Sequence, residues 1–293
     1  MILEADTMKN IDRLSFVGAD SMLSRPVESG TEGIMCDAKL CGSDILTVYR
    51  RTVLPGRQFQ LQATNDYHLI YIIKTAATNV IHFKDQSHAT EQGAGVLLTP
   101  GESVNLEARD GDCQILHIVV SKPPAAIEDG LAGGPGYFFN RRTLRALTDA
   151  SGGRIRRFCA ESSIRGRDGK RITPTNAIQA GEMHYNEGGS SPYHVHFGTA
   201  NNPGGAEHCY ITFGGRGLIE VDDDVREIGP DTLVHIPTGV PHRLRADGGP
   251  LDYFEIQAWR SFKTTVLSEE PLGLKWFYQR DNPNEALVEW NQS

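Results

Sequence analysis

The chain has 293 residues, with 29 basic and 37 acidic side chains, a formal net charge of −8 and 39% hydrophobic residues. This composition is ordinary for a soluble globular protein with one large or two medium domains, and its negative charge argues against nucleic acid as a partner. No apolar run approaches the ~20 residues of a membrane-spanning helix, and "MILEADTMKNIDRLSF" at the N-terminus lacks the apolar core of a secretory signal.

The cysteines favour a reducing compartment. There are five of them, an odd number, scattered and without C-x-x-C spacing: Cys36, Cys41, Cys113, Cys159 and Cys209. This usage fits reduced thiols better than a disulfide framework or a zinc knuckle. We therefore expect a cytoplasmic protein that binds neither membranes nor nucleic acid.

Short strand-like runs separated by 15 prolines and 31 glycines predict a mainly β protein, a sandwich or barrel of antiparallel sheet. The one segment with helical periodicity is 141–150. The predicted organisation is an N-terminal arm (1–40) that packs on one of the domains, a first β-domain (41–135), a basic linker with a short helix (136–172), a second β-domain (173–265) and a C-terminal tail (266–293).

The two β-domains are predicted to be copies of one unit. "YHLIYIIKTAATNVIHF" from Tyr67 aligns with "EHCYITFGGRGLIEVDD" from Glu207, at an offset of 140 residues. "PGESVNLEARDGDCQILHIVV" from Pro100 aligns with "PTGVPHRLRADGGPLDYFEIQ" from Pro237 without a gap, at an offset of 137. Repetition of a strand–turn–strand unit at this period indicates two similar domains in one chain.

The linker between the copies is strongly basic. Residues 141–171 hold ten of the 29 lysines and arginines against three acidic residues. Such a run can bind phosphates, but it has no interleaved aromatic platform beyond Phe158 and no DNA-reading motif. We interpret it as a solvated linker face.

Two histidines and a carboxylate are closely spaced in the second half. His194 and His196 point to the same face if their segment is a strand, because side chains at i and i+2 share a face. Glu207 follows a Gly/Asn/Pro loop, 198–205, and opens the next strand-like run; His242 closes a Pro-x-Gly-x-x-His turn. Three imidazoles and one carboxylate suit a divalent ion such as Fe(II), Mn, Ni, Co or Zn.

These residues resemble the two motifs of the cupin superfamily. The first, G-x5-H-x-H-x3–4-E-x6-G, is matched by Gly188, His194, His196, Glu207 and Gly214. The one difference in spacing is that ten residues, instead of three or four, separate His196 from Glu207. The second, G-x5-P-x-G-x2-H-x3-N, is matched by Pro237, Gly239 and His242, with Asp231 and Ala246 in place of its glycine and asparagine. Alternation of side chains along the strand, and the six residues between Glu207 and Gly214, favour Glu207 over the adjacent His208 as the residue at the glutamate position of the motif.

The resemblance covers about residues 40–125 and 172–262. It implies a bicupin, with two double-stranded β-helix, jelly-roll-like barrels, and one divalent metal in the second, Fe(II) being favoured over Mn, Ni, Co or Zn. In the first half Tyr67 falls at the glutamate position and Asn105 at that of the last histidine, and "RQFQLQ" replaces H-x-H. We expect that half to be a metal-free structural copy.

Three further residues are candidates for catalytic roles in the second half. Tyr185 and Tyr193 flank the loop into H-x-H and offer phenols to a substrate, with packing as the alternative. His235 precedes the Pro-x-Gly turn and offers an acid or base, with a surface or supporting position as the alternative. The chain has no G-x-S-x-G nucleophile elbow and no phosphate loop.

The resemblance defines a site more firmly than a reaction, because cupins with three histidines and a glutamate include dioxygenases, manganese decarboxylases, isomerases and lyases. We expect a metal-dependent enzyme acting on a small oxygenated organic molecule, foremost an Fe(II) dioxygenase. A non-redox isomerase, lyase or decarboxylase and a non-catalytic small-molecule-binding protein stay open. Segment 198–205 is expected to shape the entrance as a lid, and the resemblance implies a homodimer.

Overall fold

The computed structural model describes residues 10–22, 24–128, 134–149, 151, 153–165, 171–260, 262–267, 275–279 and 288–290. Nearly all regular structure in these residues is antiparallel β-sheet. Within them, no helix has the length and apolar character needed to cross a membrane.

The first half contains twelve strands and one short helix in the described residues. A 3-10 turn at Asn10–Arg13 precedes them. They are β1 (Ser15–Val17), β2 (Ser24–Val27), β3 (Gly30–Cys36), β4 (Leu46–Val53), β5 (Arg57–Gln62), β6 (Tyr67–Lys74), β7 (Val80–Phe83), β8 (Gln86–Ala89), β9 (Gly95–Leu98), β10 (Ser103–Ala108), β11 (Cys113–Val120), α1 (Ala125–Glu128) and β12 (Tyr137–Phe139).

The second half contributes the remaining strands of the described residues. They are β13 (Leu147–Asp149), β14 (Arg154–Ala160), β15 (Ile178–Tyr185), β16 (His194–Gly198), β17 (Glu207–Gly214), β18 (Gly217–Val221), β19 (Asp224–Ile228), β20 (Leu233–Ile236), β21 (Arg243–Ala246), β22 (Leu251–Ala258), β23 (Phe262–Val266), β24 (Trp276–Tyr278) and β25 (Val288–Trp290).

Each half is a sandwich of facing sheets. In the first, a seven-stranded sheet (β12-β9-β6-β11-β4-β3-β2) faces a four-stranded one (β5-β10-β7-β8). In the second, a nine-stranded sheet (β1-β20-β17-β22-β15-β14-β13-β24-β25) faces a three-stranded sheet (β19-β18-β21) and the β16-β23 pair. The predicted mainly β architecture is confirmed, and each predicted barrel is a sandwich whose sheets stay separate over the described residues.

The N-terminal segment joins both halves. Strand β1 pairs with β20 at the edge of the second half's large sheet, whereas β2 and β3 extend the large sheet of the first half. The segment predicted as an arm on one domain is therefore built into the sheets of both.

The helix predicted within the basic linker is not formed. In the described part of that stretch, residues 141–149, the chain turns and then forms β13, and β14 follows as an internal strand of the large sheet. The helical periodicity is overridden by pairing of β13 with β14 and β24, where Leu147 is fully buried.

The two halves repeat one strand order, β9-β6-β11-β4-β3 corresponding to β20-β17-β22-β15-β14. Ile70 on β6 is paired with His117, and its counterpart Tyr210 on β17 is paired with Glu255. The offset is thus 140 residues for the first strand and 138 (255 − 117) for the second. The ungapped alignment at 137 residues is therefore wrong by one for this strand.

Alternation along the strands divides the buried side chains into three layers. The inside of the second sandwich holds Tyr210, Val234 and Tyr253, while Cys209, Leu233 and Phe254 face the other way. This second set packs against the first half, because its cluster also contains buried side chains from β4, β6 and β11. The large sheets of the two halves therefore pack against each other through a shared apolar interface.

Candidate metal centre

The H-x-H segment forms β16, as expected from its spacing. His194 and His196 lie two residues apart on this strand and contact each other, with ring centroids 4.8 Å apart. His242 lies on a neighbouring segment of the same chain, just before β21 begins. Its backbone exchanges hydrogen bonds of 3.0 and 2.8 Å with the backbone of His194. The strand pairing therefore fixes the three rings next to one another.

The three imidazoles form one compact group. One ligand nitrogen from each lies within 4.8 Å of the other two. The ring centroids of His194 and His242 are 4.3 Å apart, and those of His196 and His242 are 5.4 Å apart. Relative exposures of 8%, 7% and 0% for His194, His196 and His242 place the group inside the protein.

Each ring is held by its Nδ1 atom. His194 Nδ1 lies 2.7 Å from the Pro192 carbonyl, and His242 Nδ1 lies 2.9 Å from the Val240 carbonyl. A carbonyl only accepts, so both Nδ1 atoms are protonated and the Nε2 lone pairs stay free. His196 Nδ1 is bonded to the Thr264 hydroxyl at 3.0 Å. Supporting bonds of this kind orient metal-binding histidines.

Burial keeps the rings neutral. It lowers the pKa of His194 to about 4, since desolvation disfavours the imidazolium. It also lowers the pKa of His196 and that of His242 far below the ordinary histidine value, with the neighbouring imidazoles adding to the effect. At neutral pH the group therefore presents uncharged nitrogen donors, the form in which histidine binds a metal.

The fit of a metal ion rests on unpartnered atoms. His196 Nε2 and His242 Nε2 are buried and have no hydrogen-bond partner in the described residues. Leaving such atoms unsatisfied costs about 1–3 kcal/mol each. A divalent ion accepts lone pairs from three adjacent imidazoles, so the residues present suit Fe(II), Co, Ni or Zn and also Mn.

Glu207 does not join this group. Its carboxylate accepts a hydrogen bond from His235 Nε2, and both residues lie on the faces of β17 and β20 that also carry Cys209 and Leu233. The structure therefore places Glu207, the predicted fourth ligand, on the side of the sheet that faces the first half. The prediction of which β17 side chains face the three histidines is wrong by one residue.

His208 occupies the inward position that was expected for Glu207. It is 1% exposed, and its ring centroid lies 4.9 Å from that of His196 and 5.3 Å from that of His242. Glu255 on β22 binds its Nε2 at 3.1 Å. A sequence signal for this exists, because the x6-Gly spacing also fits His208 followed by Gly215.

The remaining candidate side chains lie away from the three histidines. Tyr193 hydrogen-bonds Asp222 at 3.0 Å on the partly exposed side of its segment. Tyr185 is buried and packs edge-on against Tyr253, with centroids 5.4 Å apart. His235 is held by Glu207. None of these three contacts His194, His196 or His242 through the bonds and ring contacts of the described residues.

The first half has apolar residues where the second has the three histidines. Leu61 pairs with Val104 as His194 pairs with His242, and Gly101 donates to the Ala63 carbonyl as Gly239 donates to that of His196. The counterparts are therefore Leu61, Ala63 and Val104, and the assignment of Asn105 to the last histidine position is wrong by one residue.

The loop after H-x-H is a compact, hydrogen-bonded turn. Asn202 is buried and donates to the Gly205 carbonyl at 2.6 Å and to the Trp259 carbonyl at 3.5 Å. Thr199 and Asn202 also exchange backbone bonds of 2.9 and 3.1 Å. Asn202 thus anchors segment 198–205 beside the strand that carries His196.

Comparison with known proteins identifies the fold. No family model matches the chain, and no curated protein matches its sequence. Among solved structures it is similar to a formate complex of oxalate decarboxylase from Lactobacillus farciminis, with a TM-score of 0.62 and 12% identity over 86% of this chain and 88% of that one.

Two more structures agree. A putative glyoxylate-induced protein from Pseudomonas aeruginosa matches with a TM-score of 0.65 and 12% identity over 87% of this chain and 91% of that one. Oxalate decarboxylase from Bacillus subtilis matches with a TM-score of 0.63 and 12% identity over 86% and 78%. At this identity the likeness shows the fold, and the chain has the cupin fold.

Proposed function

We propose that the chain is a metal-dependent enzyme in which His194, His196 and His242 hold one divalent ion that acts on a small oxygenated organic molecule. The observation that carries the proposal is the pair of buried, unpartnered Nε2 atoms of His196 and His242, next to a third ring fixed in the same tautomer as His242. An ion at this point removes the cost of both unpartnered nitrogens.

The bound ion would supply Lewis acidity or redox chemistry to a substrate oxygen. The chain's own residues set the charge at that point: the three donors are neutral, and Glu207 is turned away from them. The charge of a divalent ion is therefore not balanced by these donors. This favours substrates that offer an anionic oxygen, such as a carboxylate or an ionised hydroxyl group.

For the reaction class we propose an Fe(II) dioxygenase, because neutral imidazoles suit Fe(II) and leave positions for substrate and dioxygen. The second candidate is a non-redox decarboxylase, isomerase or lyase using Mn, Zn or Ni. It is favoured by the structural neighbours, two of which are described as oxalate decarboxylases.

The metal proposal is tested by elemental analysis of protein purified without chelators or added metal, next to a His196→Ala variant. We expect about one equivalent of a divalent transition metal in the wild type and a loss of most of it in the variant. Equal metal content in the two proteins, or none in the wild type after incubation with Fe(II), Mn(II), Co(II) or Zn(II), would contradict the proposal.

The reaction class is tested on Fe(II)-loaded protein under anaerobic conditions. A dioxygenase site is expected to bind nitric oxide and give the EPR signal of an iron–nitrosyl adduct. Absence of that signal, together with substrate turnover in strictly anaerobic buffer, would replace the dioxygenase by the non-redox candidate. Unchanged binding of a small-molecule ligand after His196→Ala would instead favour a non-catalytic binding protein.

A further inference from the structure

We propose that His208 is a fourth ligand of the ion, through Nδ1, and that Glu255 is the residue that positions it. This inference rests on the proposed metal site, and it assigns the place expected for Glu207 to a histidine. The resulting donor set has four imidazoles and no carboxylate.

The protonation of His208 follows from its partner. Glu255 Oε1 lies 3.1 Å from His208 Nε2, and Glu255 also accepts a hydrogen bond of 3.0 Å from Gln257. An ionised carboxylate only accepts, so Nε2 of His208 donates, and in the neutral ring this leaves a lone pair on Nδ1. This Nδ1 is buried and has no partner in the described residues, as is the case for Nε2 of His196 and of His242.

Position supports the same assignment. The His208 ring contacts two of the three site histidines, edge-on, at centroid separations of 4.9 and 5.3 Å. Three buried nitrogens without partners therefore lie on adjacent rings. A carboxylate bonded to the far nitrogen of an imidazole is the arrangement that orients metal ligands and raises their basicity.

The first half provides an internal comparison. His68 and His117 occupy the positions of His208 and Glu255, with the ring nitrogens 3.0 Å apart. The Nδ1 atom of His68, which corresponds to the free Nδ1 of His208, is thus engaged by Nε2 of His117, and Nδ1 of His117 accepts a hydrogen bond from Arg51 at 3.2 Å. The half with apolar residues at the three other ligand positions thus also lacks the carboxylate that would orient the fourth histidine.

The proposal has a consequence for metal choice. Imidazole donors favour Fe(II), Co(II), Ni(II) and Zn(II), whereas carboxylate oxygens favour Mn(II). A site with His208 in place of a glutamate is therefore expected to discriminate more strongly against Mn(II). Glu255, which is hydrogen-bonded to His208, supplies a negative charge near the ion.

The test is Co(II) binding to full-length wild type, His208→Ala, Glu255→Gln and Glu207→Gln proteins, measured by competition with a chelator and by the visible spectrum of bound Co(II). We expect about 100-fold weaker binding and an altered spectrum for His208→Ala, and about 10-fold weaker binding for Glu255→Gln. Glu207→Gln, the matched control, should stay within about twofold of the wild type.

Wild-type affinity and spectrum in His208→Ala, or a loss in Glu207→Gln alone, would overturn the assignment of His208. A wild type that binds no Co(II) would instead refute the metal site itself, so the two failures are distinguishable. If His208→Ala does not fold, as judged by circular dichroism, X-ray absorption of the wild-type complex decides the question: four imidazoles support the proposal and three refute it.

Discussion

The carboxylate of Glu207 is bonded to His235 Nε2, across neighbouring strands and on the face of the sheet opposite to the three histidines. His235 is 3% exposed, so its Nε2 depends on this acceptor. We predict that Glu207→Ala lowers the free energy of unfolding of the metal-free protein by about 1–3 kcal/mol, because a buried donor is left without a partner. Denaturation in urea measures the change.

The matched variant for this prediction is Glu207→Gln, which keeps an acceptor oxygen and should lose less stability than Glu207→Ala. Metal content should be unchanged in both. A strong loss of metal with no loss of stability would show that Glu207 acts at the ion and that the observed pairing with His235 does not hold in solution.

Thr264 supports His196 from the neighbouring strand. Its hydroxyl is 3.0 Å from His196 Nδ1 and is the side-chain partner of that atom in the described residues. Removing it by Thr264→Val frees the ring to rotate, and outer partners of this kind are worth roughly 10–100-fold in metal affinity. We predict about 10-fold weaker Co(II) or Zn(II) binding, measured by chelator competition.

Thr265→Val is the control for Thr264, since Thr265 lies on the same strand and is paired with Val195 instead of His196. It should leave metal affinity unchanged. Equal losses in the two variants would indicate a general effect on β23, whereas no loss in either would mean that the ring of His196 is held by packing alone.

The buried histidines predict acid sensitivity of the metal-free protein. The pKa of His194 is lowered to about 4 in the fold, and burial lowers those of His196 and His242 further, against about 6.5 in the unfolded chain. Stability is therefore complete above pH 6.5 and falls as the unfolded state takes up protons below it. Between pH 7 and pH 5 we expect a loss of about 2 kcal/mol per histidine.

Urea unfolding at a series of pH values measures this dependence, and His194→Asn supplies the comparison. The variant lacks one titrating ring and should show a shallower decline between pH 6.5 and pH 5, by roughly a third of the contribution from the three rings. An identical slope in both proteins would mean that His194 is not held neutral in the native state.

Glu128 connects the two halves at the end of α1. It is 2% exposed and accepts hydrogen bonds from Tyr67 at 3.0 Å, from Thr175 at 2.7 Å and from the Asn176 backbone at 3.0 Å. We predict that Glu128→Gln costs about 1.5–3 kcal/mol, because an amide group directs a donor at groups that already donate. Chemical denaturation measures this loss.

Glu227→Gln is the surface control for Glu128. Glu227 is 60% exposed and pairs with Arg216 at 3.7 Å, and an exposed pair of this kind contributes little. Its loss should change stability by less than about 0.5 kcal/mol. Similar effects of both substitutions would show that the bonds of Glu128 do not stabilise the contact between the halves.

The sequence was sufficient for what depends on local periodicity. The i, i+2 spacing of His194 and His196 predicts adjacent rings, and the Pro-x-Gly turn brings His242 to them, as the structure shows. It was insufficient where one residue of register decides the outcome. Glu207 and His208 are neighbours, and their faces depend on how β17 pairs with β20 and β22, which are distant in the chain.

The same limit explains the alignment error between the two halves. The stretch from Tyr210 to Glu255 is two residues shorter than the stretch from Ile70 to His117, and only the strand pairing shows the size of this difference. The predicted helix in the basic segment failed for a related reason. The neighbours of β13 in the sheet, β14 and β24, provide burial that a local pattern does not reveal.

The register of β17 is tested at its end. Gly215 has φ of +79°, and a Cβ there would meet the Pro250 carbonyl oxygen at 2.0 Å, whereas a Cβ on Gly214 has no neighbour closer than 3.7 Å. Gly215 is therefore the turn glycine, separated from His208 by six residues, which places His208 in the inward position. We predict that Gly215→Ala costs more than about 2 kcal/mol, through the left-handed backbone and the clash, and Gly214→Ala less than about 1 kcal/mol. Thermal unfolding compares the two variants, and a larger loss for Gly214→Ala would restore the register in which Glu207 faces the histidines.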